Sequence, residues 1–465
     1  MLNLCYNNAK IKNCVKEQTM AKSRIEKSPI SFSPENLAVV LHMMQSEPEL
    51  MEYFRETDDK GRYLYWDKFK WHVPSHHDVK KAWLVTKWCR FTKRKPIELL
   101  DNEGNEFHYC KPDSLQAKFF KIAKLSGEGM TSNSSMKQKF LMASLVMEEA
   151  ISSAQLEGAS TTRRVAKKML VEERKPRSED EQMILNNYLL MNEVKQLTDV
   201  PLSLELILHF HKIATHNTSE NAVVPGAFRR DNEIVIADGA DGEILHQPPH
   251  FEQIEERLQK LCDFANSVHS GEGGEAFIDP IAKAIILHFM IGYEHPFADG
   301  NGRTARAIFY WSMLSNGFEF FEYLSISKLL KTAPVKYGMA YLYTEIDEND
   351  LTYFLYYQAD IILRAMDELF AYLEERSLEF EEVVGLLENS KLSDSLNFIQ
   401  KNIVKKSMNN PGRLFTVKEI ANHYDVSENT ARKYLKELVE YKILGALKEG
   451  RTVNYIAMAN IKEVL

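Results

Sequence analysis

The twelve residues HPFADGNGRTAR, His295 to Arg306, bring a base, a carboxylate and two arginines close together. Pro296 ends the apolar helix that precedes it, because proline lacks a backbone donor and restricts the residue before it. Gly300 and Gly302 allow a tight turn before a new helix, which is predicted to begin near Arg303. The first turn of a helix presents unpaired N–H groups and the positive end of the helix dipole. The segment therefore predicts an anion-binding loop with a base beside it.

The charged side chains of this segment favour a nucleotide as the anion. Arg303 and Arg306 are three residues apart on one helical face, and together with the helix N-terminus they suit a polyphosphate. Asn301 is predicted to add a side-chain donor. Asp299 would repel phosphates unless it holds Mg²⁺ that bridges them. His295 is a base suited to neutral pH, so the expected reaction is transfer of a nucleotidyl or phosphoryl group to a hydroxyl.

Other phosphate and metal motifs do not fit the sequence. Gly300 and Gly302 lack the third glycine of GxGxxG and follow a predicted helix instead of a strand. The chain has neither GxxxxGK[ST] nor HExxH. Its five cysteines are scattered without a CxxC or a zinc-type spacing, which indicates a reducing compartment.

HPFADGNGRTAR resembles the Fic-domain signature HxFx[DE]GNGRxxR at every fixed position. The resemblance extends over roughly residues 136–385. It implies a mainly α fold, in which an all-α core carries a short β-hairpin flap. It also implies adenylyl transfer (AMPylation) from ATP to a Ser, Thr or Tyr hydroxyl of a protein target, with the enzyme itself as one candidate target.

The resemblance implies a role for each matching residue. His295 would deprotonate the target hydroxyl, and Asp299 would hold Mg²⁺ between the α- and β-phosphates. Arg303 would contact the phosphate chain, and Arg306 would contact the γ-phosphate. The residues of the anion hole for the α-phosphate would be Gly300, Asn301 and Gly302.

Two apolar runs around ADGADG, in NEIVIADGADGEILHQPP, predict a β-hairpin. By the same resemblance this hairpin would be the flap, roughly from Ile234 to Leu245, whose main chain pairs with the target segment. The predicted docking residues are Ile234, Val235, Ile236, Ile244 and Leu245.

The upstream segment SSAQLEG contains one glutamate, Glu157. Taken alone, Glu157 is a surface residue at a helix C-terminus, with Gly158 as the C′ cap. Beside a Fic signature, however, Ser153, Glu157 and Gly158 resemble the family's inhibitory motif [ST]xxxE[GN]. A glutamate paired with Arg306 would occupy the place of the γ-phosphate, which implies self-inhibition within one chain.

The C-terminal segment, residues 397–465, has the pattern helix, turn, helix and hairpin that is typical of a winged helix-turn-helix. Ser427 is predicted to cap the recognition helix. Nearby glutamates almost cancel the local positive charge, so DNA binding would be salt-sensitive, and a protein-interaction role stays open. The candidate DNA contacts are Asn429, Arg432, Lys433, Lys436, Lys448 and Arg451.

The overall composition indicates a soluble globular protein of several domains, with 465 residues, 44% of them hydrophobic, and a net charge of −8. Such an acidic chain is not a general nucleic-acid binder. Without a signal peptide or an apolar run of membrane-span length, the expected location is cytoplasmic. The predicted segments are a flexible tail (1–30), a mostly helical region (31–135), the Fic domain with its inhibitory helix (136–390) and the winged helix (397–465). A small aromatic core of its own is predicted for Trp66, Trp71, Trp83 and Trp88.

The sequence thus predicts a self-inhibited, Mg²⁺-dependent protein adenylyltransferase, a nucleotidyltransferase. Its expected partners are ATP, a protein target and DNA, with no membrane, and a homodimer is left open. Two alternatives are also open. The enzyme could remove AMP, alone or as a second activity, with Glu157 positioning a water molecule, or the chain could be a transcriptional regulator that senses nucleotide.

Overall fold

The structure is a computed structural model that describes residues 25–30, 33–131, 145–218, 224–238, 242–388, 392, 395–409, 412–449, 452–458 and 461. In chain order the helices of the N-terminal half are α1 (Leu37–Ser46), α2 (Trp66–Phe69), α3 (Val79–Lys93), α4 (Asp113–Thr131), α5 (Val146–Leu156), α6 (Arg163–Val171), α7 (Glu179–Gln196) and α8 (Leu204–Thr215). They are followed by α9 (Ile254–Asn266), α10 (Pro280–Glu294), α11 (Asn301–Ser315), α12 (Ile326–Thr332), α13 (Pro334–Ile346), α14 (Thr352–Glu388), α15 (Phe398–Asn409), α16 (Val417–Tyr424) and α17 (Glu428–Glu440).

The strands are short, and in the described residues they form small antiparallel sheets. They are β1 (Lys95–Leu100), β2 (Glu106–Tyr109), β3 (Ile236–Ala237), β4 (Ile244–His246), β5 (Leu414–Phe415), β6 (Leu444–Glu449) and β7 (Thr452–Ala457). β1 pairs with β2, β3 pairs with β4, and the third sheet has the order β5-β7-β6. The prediction of a mainly α fold with a short hairpin is confirmed. None of the described helices combines the length and the apolar character that a membrane span requires.

The contacts within the chain define two compact units. Unit 1 consists of Met1–Ser126, Leu189–Phe321 and Leu329–Leu363. Its centre is α10, whose sequence is apolar on every side, as expected for a helix that is enclosed by others. Nearly every side chain from Ile281 to Tyr293 is buried. α11 packs against α10 and α8 and is buried from Arg303 to Met313.

The tryptophan-rich region belongs to the core of unit 1. Trp83 is fully buried, and its neighbour Tyr65 also contacts Tyr343 of α13 and Tyr353 of α14. The expectation of a separate small core is therefore wrong, because these rings complete the same apolar layer as the C-terminal helices of the unit. Trp71 does not take part in it, since it is 78% exposed.

Unit 2 consists of Gly127–Tyr188, Glu322–Lys328 and Arg364–Leu465. Among its described residues are two separate apolar clusters. One joins α5, α6 and the start of α7, and the other joins α15, α16, α17 and the sheet β5-β7-β6. The compact units therefore cut across the four segments predicted from the sequence, and those segments and the winged-helix assignment stay predictions. The predicted tail lies mostly outside the described residues.

Candidate active site

The site begins where α10 ends. The helix stops at Glu294, and His295 caps it in the left-handed region, with φ +43° and its N–H donated to the Ile291 carbonyl at 3.1 Å. A residue other than glycine with positive φ is uncommon. The conformation is fixed by Arg229, whose Nε donates to the His295 carbonyl and whose backbone N–H donates to the Pro296 carbonyl, each at 2.9 Å.

The loop between α10 and α11 is closed by its own amide groups. Asn301 Oδ1 accepts a hydrogen bond from the Phe297 N–H at 2.9 Å, and Asn301 Nδ2 donates to the Phe297 carbonyl at 2.8 Å. The Asn301 side chain was predicted to donate to a bound anion. The structure instead places it on the Phe297 backbone, because those peptide groups are buried in the loop and need partners.

Position 300 in this turn requires glycine. It has φ +84°, and a Cβ atom there would lie 2.7 Å from Thr215 Cγ2 and 3.1 Å from the His211 ring. α11 begins at Asn301, two residues before the predicted start at Arg303. The unpaired amides of its first turn, including that of Gly302, therefore lie in the glycine segment itself.

His295 is the candidate base. Its side chain is 5% exposed, and burial lowers its pKa to about 4. Nδ1 lies 3.2 Å from the Gly292 carbonyl. A carbonyl can only accept, so Nδ1 carries the proton and Nε2 carries the lone pair. At neutral pH the imidazole is therefore uncharged and able to take a proton.

The two arginines of the motif are buried. Arg303 is 1% exposed and donates to Asp299 Oδ2 at 2.8 Å and to the Ala214 carbonyl at 2.7 Å. A guanidinium this deeply buried needs such partners, and they differ from the phosphate chain that the sequence predicts. Arg306 is 2% exposed, and its charge adds to the effect of burial in lowering the pKa of His288 to about 3.

Asp299 is the one carboxylate of the loop, and its side chain is 47% exposed. Among the described residues, no group of three or more His, Cys, Asp and Glu side chains is placed to hold a metal ion. A single exposed carboxylate fits Mg²⁺ that receives its other ligands from phosphates and water, which is how this ion is usually held at nucleotide sites.

The predicted flap is a short antiparallel pair. Ile236 pairs with His246, and Ala237 pairs with Ile244. Ile234 and Val235 are buried, Ile236 and Leu245 are half-buried, and Ile244 is 58% exposed. The tip, residues 239–241, lies outside the described part of the chain. The prediction that this hairpin docks a target is not tested by its geometry.

A buried histidine at the end of β4 fixes the flap to unit 1. His246 Nδ1 lies 2.7 Å from Glu345 Oε2, and His246 Nε2 lies 2.7 Å from the Tyr293 carbonyl. Burial disfavours the imidazolium, but Glu345 raises the pKa of His246 above its usual value. The protonated ring can donate from both nitrogens, so it joins β4 to the end of α10, two residues before His295.

Sequence reasoning missed the residues that shape this loop from outside the motif. Arg229 lies in GAFRR, and His211 lies in HFHKIATH on α8, where it was assigned to packing alone. His211 hydrogen-bonds the loop carbonyl of Asp299 at 2.9 Å. The available signals were a histidine on the apolar face of a helix and an arginine beside the flap, and neither is specific without a fold.

The predicted inhibitory residues lie in unit 2. α5 ends at Leu156, Glu157 is its C-cap, and Gly158 has φ +107°. Ser153 is buried on the last turn of the helix. Glu157 and Arg306 belong to different units, so their pairing stays a prediction.

The predicted recognition helix is α17. Ser427 accepts a hydrogen bond from the Thr430 N–H at 3.1 Å, which confirms the predicted N-cap. Arg432 donates to Asn429 Oδ1 at 3.0 Å, and Lys433 Nζ lies 3.9 Å from Glu437. The basic side chains Arg432, Lys433 and Lys436 are exposed. Lys448 lies in β6 and Arg451 lies outside the described residues, so the contacts predicted for the wing stay predictions.

The model of the family described as Fic/DOC matches residues 201–313 of this chain. This segment runs from the start of α8 through the hairpin and the glycine loop to α11. Residues 201–313 are therefore similar to the Fic/DOC family. The prediction of a Fic domain is thereby confirmed for these residues.

Two curated relatives and one solved structure illustrate the similarity. The protein adenylyltransferase fic-1 of Caenorhabditis elegans is 39% identical over 71 residues, which are 15% of this chain and 13% of the relative. The protein adenylyltransferase Fic of Nematostella vectensis is 28% identical over 107 residues, 21% of this chain and 22% of the relative. A solved structure of Fic-1 from C. elegans is 16% identical, with a TM-score of 0.47, and the match covers 75% of this chain and 90% of that one.

The chain therefore matches less than a quarter of the length of these two curated relatives.

Proposed function

We propose that this protein is a self-inhibited protein adenylyltransferase that transfers AMP from ATP to a hydroxyl side chain of a protein. The observation that carries the proposal is the uncharged, buried His295 at the start of the glycine loop that leads into the N-terminus of α11. A base and an anion site next to each other are what transfer from a polyphosphate to a hydroxyl needs.

The proposed reaction is a displacement at the α-phosphorus of ATP. His295 Nε2 takes the proton of the target hydroxyl, and the oxygen forms a bond to the α-phosphorus. The bond from that phosphorus to the oxygen that bridges to the β-phosphate breaks, and pyrophosphate leaves with the electron pair. The loop amides at Gly300 to Gly302 would stabilise the charge that develops on the α-phosphate oxygens.

Asp299 and Arg306 would serve the nucleotide in this proposal. The exposed carboxylate of Asp299 would hold Mg²⁺, which neutralises phosphate charge when it is bound. Arg306 would contact the γ-phosphate. Because Arg303 is fixed to Asp299 at 2.8 Å, we assign it to orienting that carboxylate.

The inhibitory part of the proposal rests on the position of Glu157 at the end of α5. Glu157 is the half-buried C-cap of this helix, and it is followed by a glycine with positive φ, as in the inhibitory motif that the segment resembles. Paired with Arg306, it would exclude the γ-phosphate from a productive pose. The same carboxylate could activate water for AMP removal, so this second activity is a specific alternative at the same site.

The experiment compares two labels on ATP. The wild type and Glu157→Gly are incubated with ATP labelled at the α-phosphate or at the γ-phosphate, and the proteins are separated on a denaturing gel. Label on protein from the α-position alone supports adenylyl transfer. Label from the γ-position would instead indicate phosphoryl transfer. If neither variant transfers label to itself or to a cell extract, the proposal fails in favour of a nucleotide sensor.

A protein that has been modified with labelled AMP then tests removal. It is purified away from ATP and mixed with fresh wild type or with Glu157→Gly. Faster release of AMP by the wild type than by Glu157→Gly favours the removal activity, because only the wild type retains the carboxylate.

A further inference from the structure

His211 lies behind the glycine loop and is not part of the signature motif. It is on α8 and is fully buried. Its ring stacks on Phe297, with ring centroids 3.7 Å apart and an angle of 3° between the planes. Phe297 is itself fully buried, so the imidazole and the phenyl ring form a rigid wall of the loop.

The partners of His211 determine its tautomer. The Gly226 N–H donates to Nδ1 at 3.0 Å, and a backbone N–H can only donate. The proton of the ring is therefore on Nε2, which donates to the Asp299 carbonyl at 2.9 Å.

The bond to Asp299 has a geometric consequence for the next residue. A trans peptide is planar, and its C=O and N–H groups point in opposite directions. The described peptide bonds are all trans. Holding the Asp299 oxygen against α8 therefore turns the Gly300 N–H away from α8.

Gly300 needs such an external constraint. Glycine adopts many backbone conformations at little cost, so sequence alone does not fix the orientation of the Asp299–Gly300 peptide. Thr215 and His211 fill the space on the α8 side of Gly300. An ideal Cβ atom at Gly300 would lie 2.7 Å from Thr215 Cγ2 and 3.1 Å from His211 Cδ2. If the peptide were turned over, the Gly300 N–H would point toward α8. It would then face His211 Nε2, which is also a donor, and the two groups could not form a hydrogen bond.

We infer that His211 is a positioning residue for the anion loop, which keeps the Gly300 N–H directed at the phosphate whose charge rises during transfer. This inference rests on the proposed adenylyl transfer. His211 does not touch the reacting atoms; it acts through the Asp299–Gly300 peptide. The same bond fixes the backbone of Asp299, whose carboxylate is held by Arg303.

Packing alone does not explain a histidine at this position. A phenylalanine could fill the site and stack on Phe297 without the cost of burying two ring nitrogens. The histidine instead satisfies the Gly226 N–H and the Asp299 carbonyl at once. The tested variants are therefore His211→Phe, which keeps the aromatic stack, and His211→Gln, whose amide can donate where Nε2 does.

Transfer kinetics are measured in the Glu157→Gly background, so that inhibition does not mask the effect. We expect His211→Phe to lower kcat about 10- to 100-fold, because loss of one oxyanion donor typically costs about 10²- to 10³-fold and here the donor is misdirected instead of removed. KM for ATP should change less than about three-fold, since the donor acts mainly in the transition state. His211→Gln should recover most of the loss.

The matched control is His209→Phe. His209 is on the same helix, its side chain is 44% exposed, and it pairs with Glu193 instead of the loop. This control should keep both constants. Equal kcat in His211→Phe and the control would overturn the inference, and so would a failure of His211→Gln to exceed His211→Phe.

Crystal structures of the wild type and of His211→Phe test the inference without any transfer. We expect the Asp299–Gly300 peptide to be turned, or to occupy two orientations, only in the variant. A single unchanged orientation in His211→Phe would overturn the inference. Absence of transfer in Glu157→Gly itself would count against the proposed function, while the peptide orientation would still decide the role of His211.

Discussion

At the scale of single residues, His295 combines an unusual backbone with an unusual charge state. Its φ of +43° costs on the order of 1–2 kcal/mol for a residue with a Cβ atom. Hydrogen bonds from Arg229 to the His295 and Pro296 carbonyls hold this conformation. Strain that is maintained by a buried arginine is typical of a functional position.

The first prediction concerns this base. His295→Ala should lower transfer at least about 10²-fold while ATP affinity stays within a few-fold, because general-base catalysis is worth about 10² to 10⁴ in rate and the base does not bind nucleotide. Single-turnover labelling and calorimetry measure the two quantities. Wild-type labelling rates in the variant would contradict the proposed mechanism.

The second prediction concerns the pH dependence of stability. The pKa of His295 is about 4 in the folded protein and about 6.5 in an unfolded chain. Between these values the unfolded state binds a proton that the folded state does not. The free energy of unfolding therefore falls as pH drops from 6.5 to 4, by up to roughly 3 kcal/mol for this group.

Comparison with variants isolates this contribution. The difference in urea unfolding free energy between wild type and His295→Ala should shift in favour of the variant as pH falls from 7 to 4.5. The control is His209→Ala, which changes an exposed histidine and should not reproduce the shift of His295→Ala. A difference that is independent of pH would show that His295 titrates normally.

The third prediction concerns the metal. Asp299→Ala should weaken ATP binding mainly when Mg²⁺ is present, because the half-exposed carboxylate is the one candidate ligand in the loop. Calorimetric titrations with and without Mg²⁺ measure this difference. Arg303→Gln should weaken Mg·ATP binding less than Asp299→Ala does, because it removes the group that orients the carboxylate but keeps the carboxylate itself. Equal Mg·ATP affinity in wild type and Asp299→Ala would contradict the prediction.

The chemistry of this loop could be predicted from the sequence, but the hydrogen-bond partners of its residues could not. The spacing of HPFADGNGR is enough to predict a base beside an anion site. The bonds of Arg303 to the Ala214 carbonyl and of His211 to the Asp299 carbonyl join positions about ninety residues apart. Local patterns carry no information on such contacts, which form only when α8 packs against α11.

At the scale of elements, α5 is held firmly at its N-terminal end. Glu149 is 3% exposed and accepts hydrogen bonds from Ser325 Oγ at 2.8 Å and from the Ser327 N–H at 3.1 Å. Glu148 pairs with Arg163 of α6. These buried contacts fix the N-terminal end of the helix whose C-cap is Glu157.

The fourth prediction tests this helix. Glu157→Gly should raise transfer about 10- to 100-fold, visible as self-modification. For this the blocked state needs to be favoured by only about 1.4 to 2.8 kcal/mol, which a bidentate arginine–carboxylate contact can supply. The double variant with Arg306→Ala should lose activity again, because the released arginine is the reason for the gain.

Labelled ATP and a gel readout measure all variants of this series. The matched control is Glu172→Gly, which changes the C-cap glutamate of α6 in the same unit. It should label no more than the wild type. Equal labelling of wild type and Glu157→Gly would exclude inhibition through this helix.

The elements themselves were largely predictable, because helical periodicity and turn residues are local signals. The hairpin at ADGADG and the end of α10 at His295 follow the sequence. α11 starts earlier than predicted because Gly300 caps it in a left-handed conformation. The tryptophan-rich region was misassigned because the rings of Tyr343 and Tyr353, which complete its core, lie far along the chain.

At the scale of the whole molecule, the C-terminal helices group with the segment that carries the inhibitory motif. Asn422 of α16 donates to the Val171 carbonyl at 3.0 Å and to Glu173 at 2.9 Å, and Lys418 Nζ lies 2.5 Å from Glu173. These contacts are polar, and the two apolar clusters of unit 2 are separate. Sequence patterns do not reveal this grouping, because the grouped segments are about 250 residues apart in the chain.

The fifth prediction concerns the exposed face of α17, which we propose as a DNA-binding surface. The helix carries three basic residues, Arg432, Lys433 and Lys436, but also three glutamates. Binding should therefore be modest and should weaken steeply with salt, as expected for contacts to phosphates. In a shift assay at low salt, Lys433→Glu with Lys436→Glu should weaken binding to any duplex and reduce the salt slope by about two.

The control for the double variant Lys433→Glu, Lys436→Glu is a second double variant that makes the same change of charge outside α17. Lys121 and Lys124 of α4 are exposed, have the same spacing as Lys433 and Lys436, and lie in unit 1. Changing both to Glu alters the net charge equally, so a loss of binding common to both variants would indicate only general attraction to the protein. A loss confined to the α17 variant would assign the surface. If the wild type binds no duplex at low salt, DNA binding is excluded and the α17 face is left to a protein partner, for which the exposed basic row would require an acidic surface.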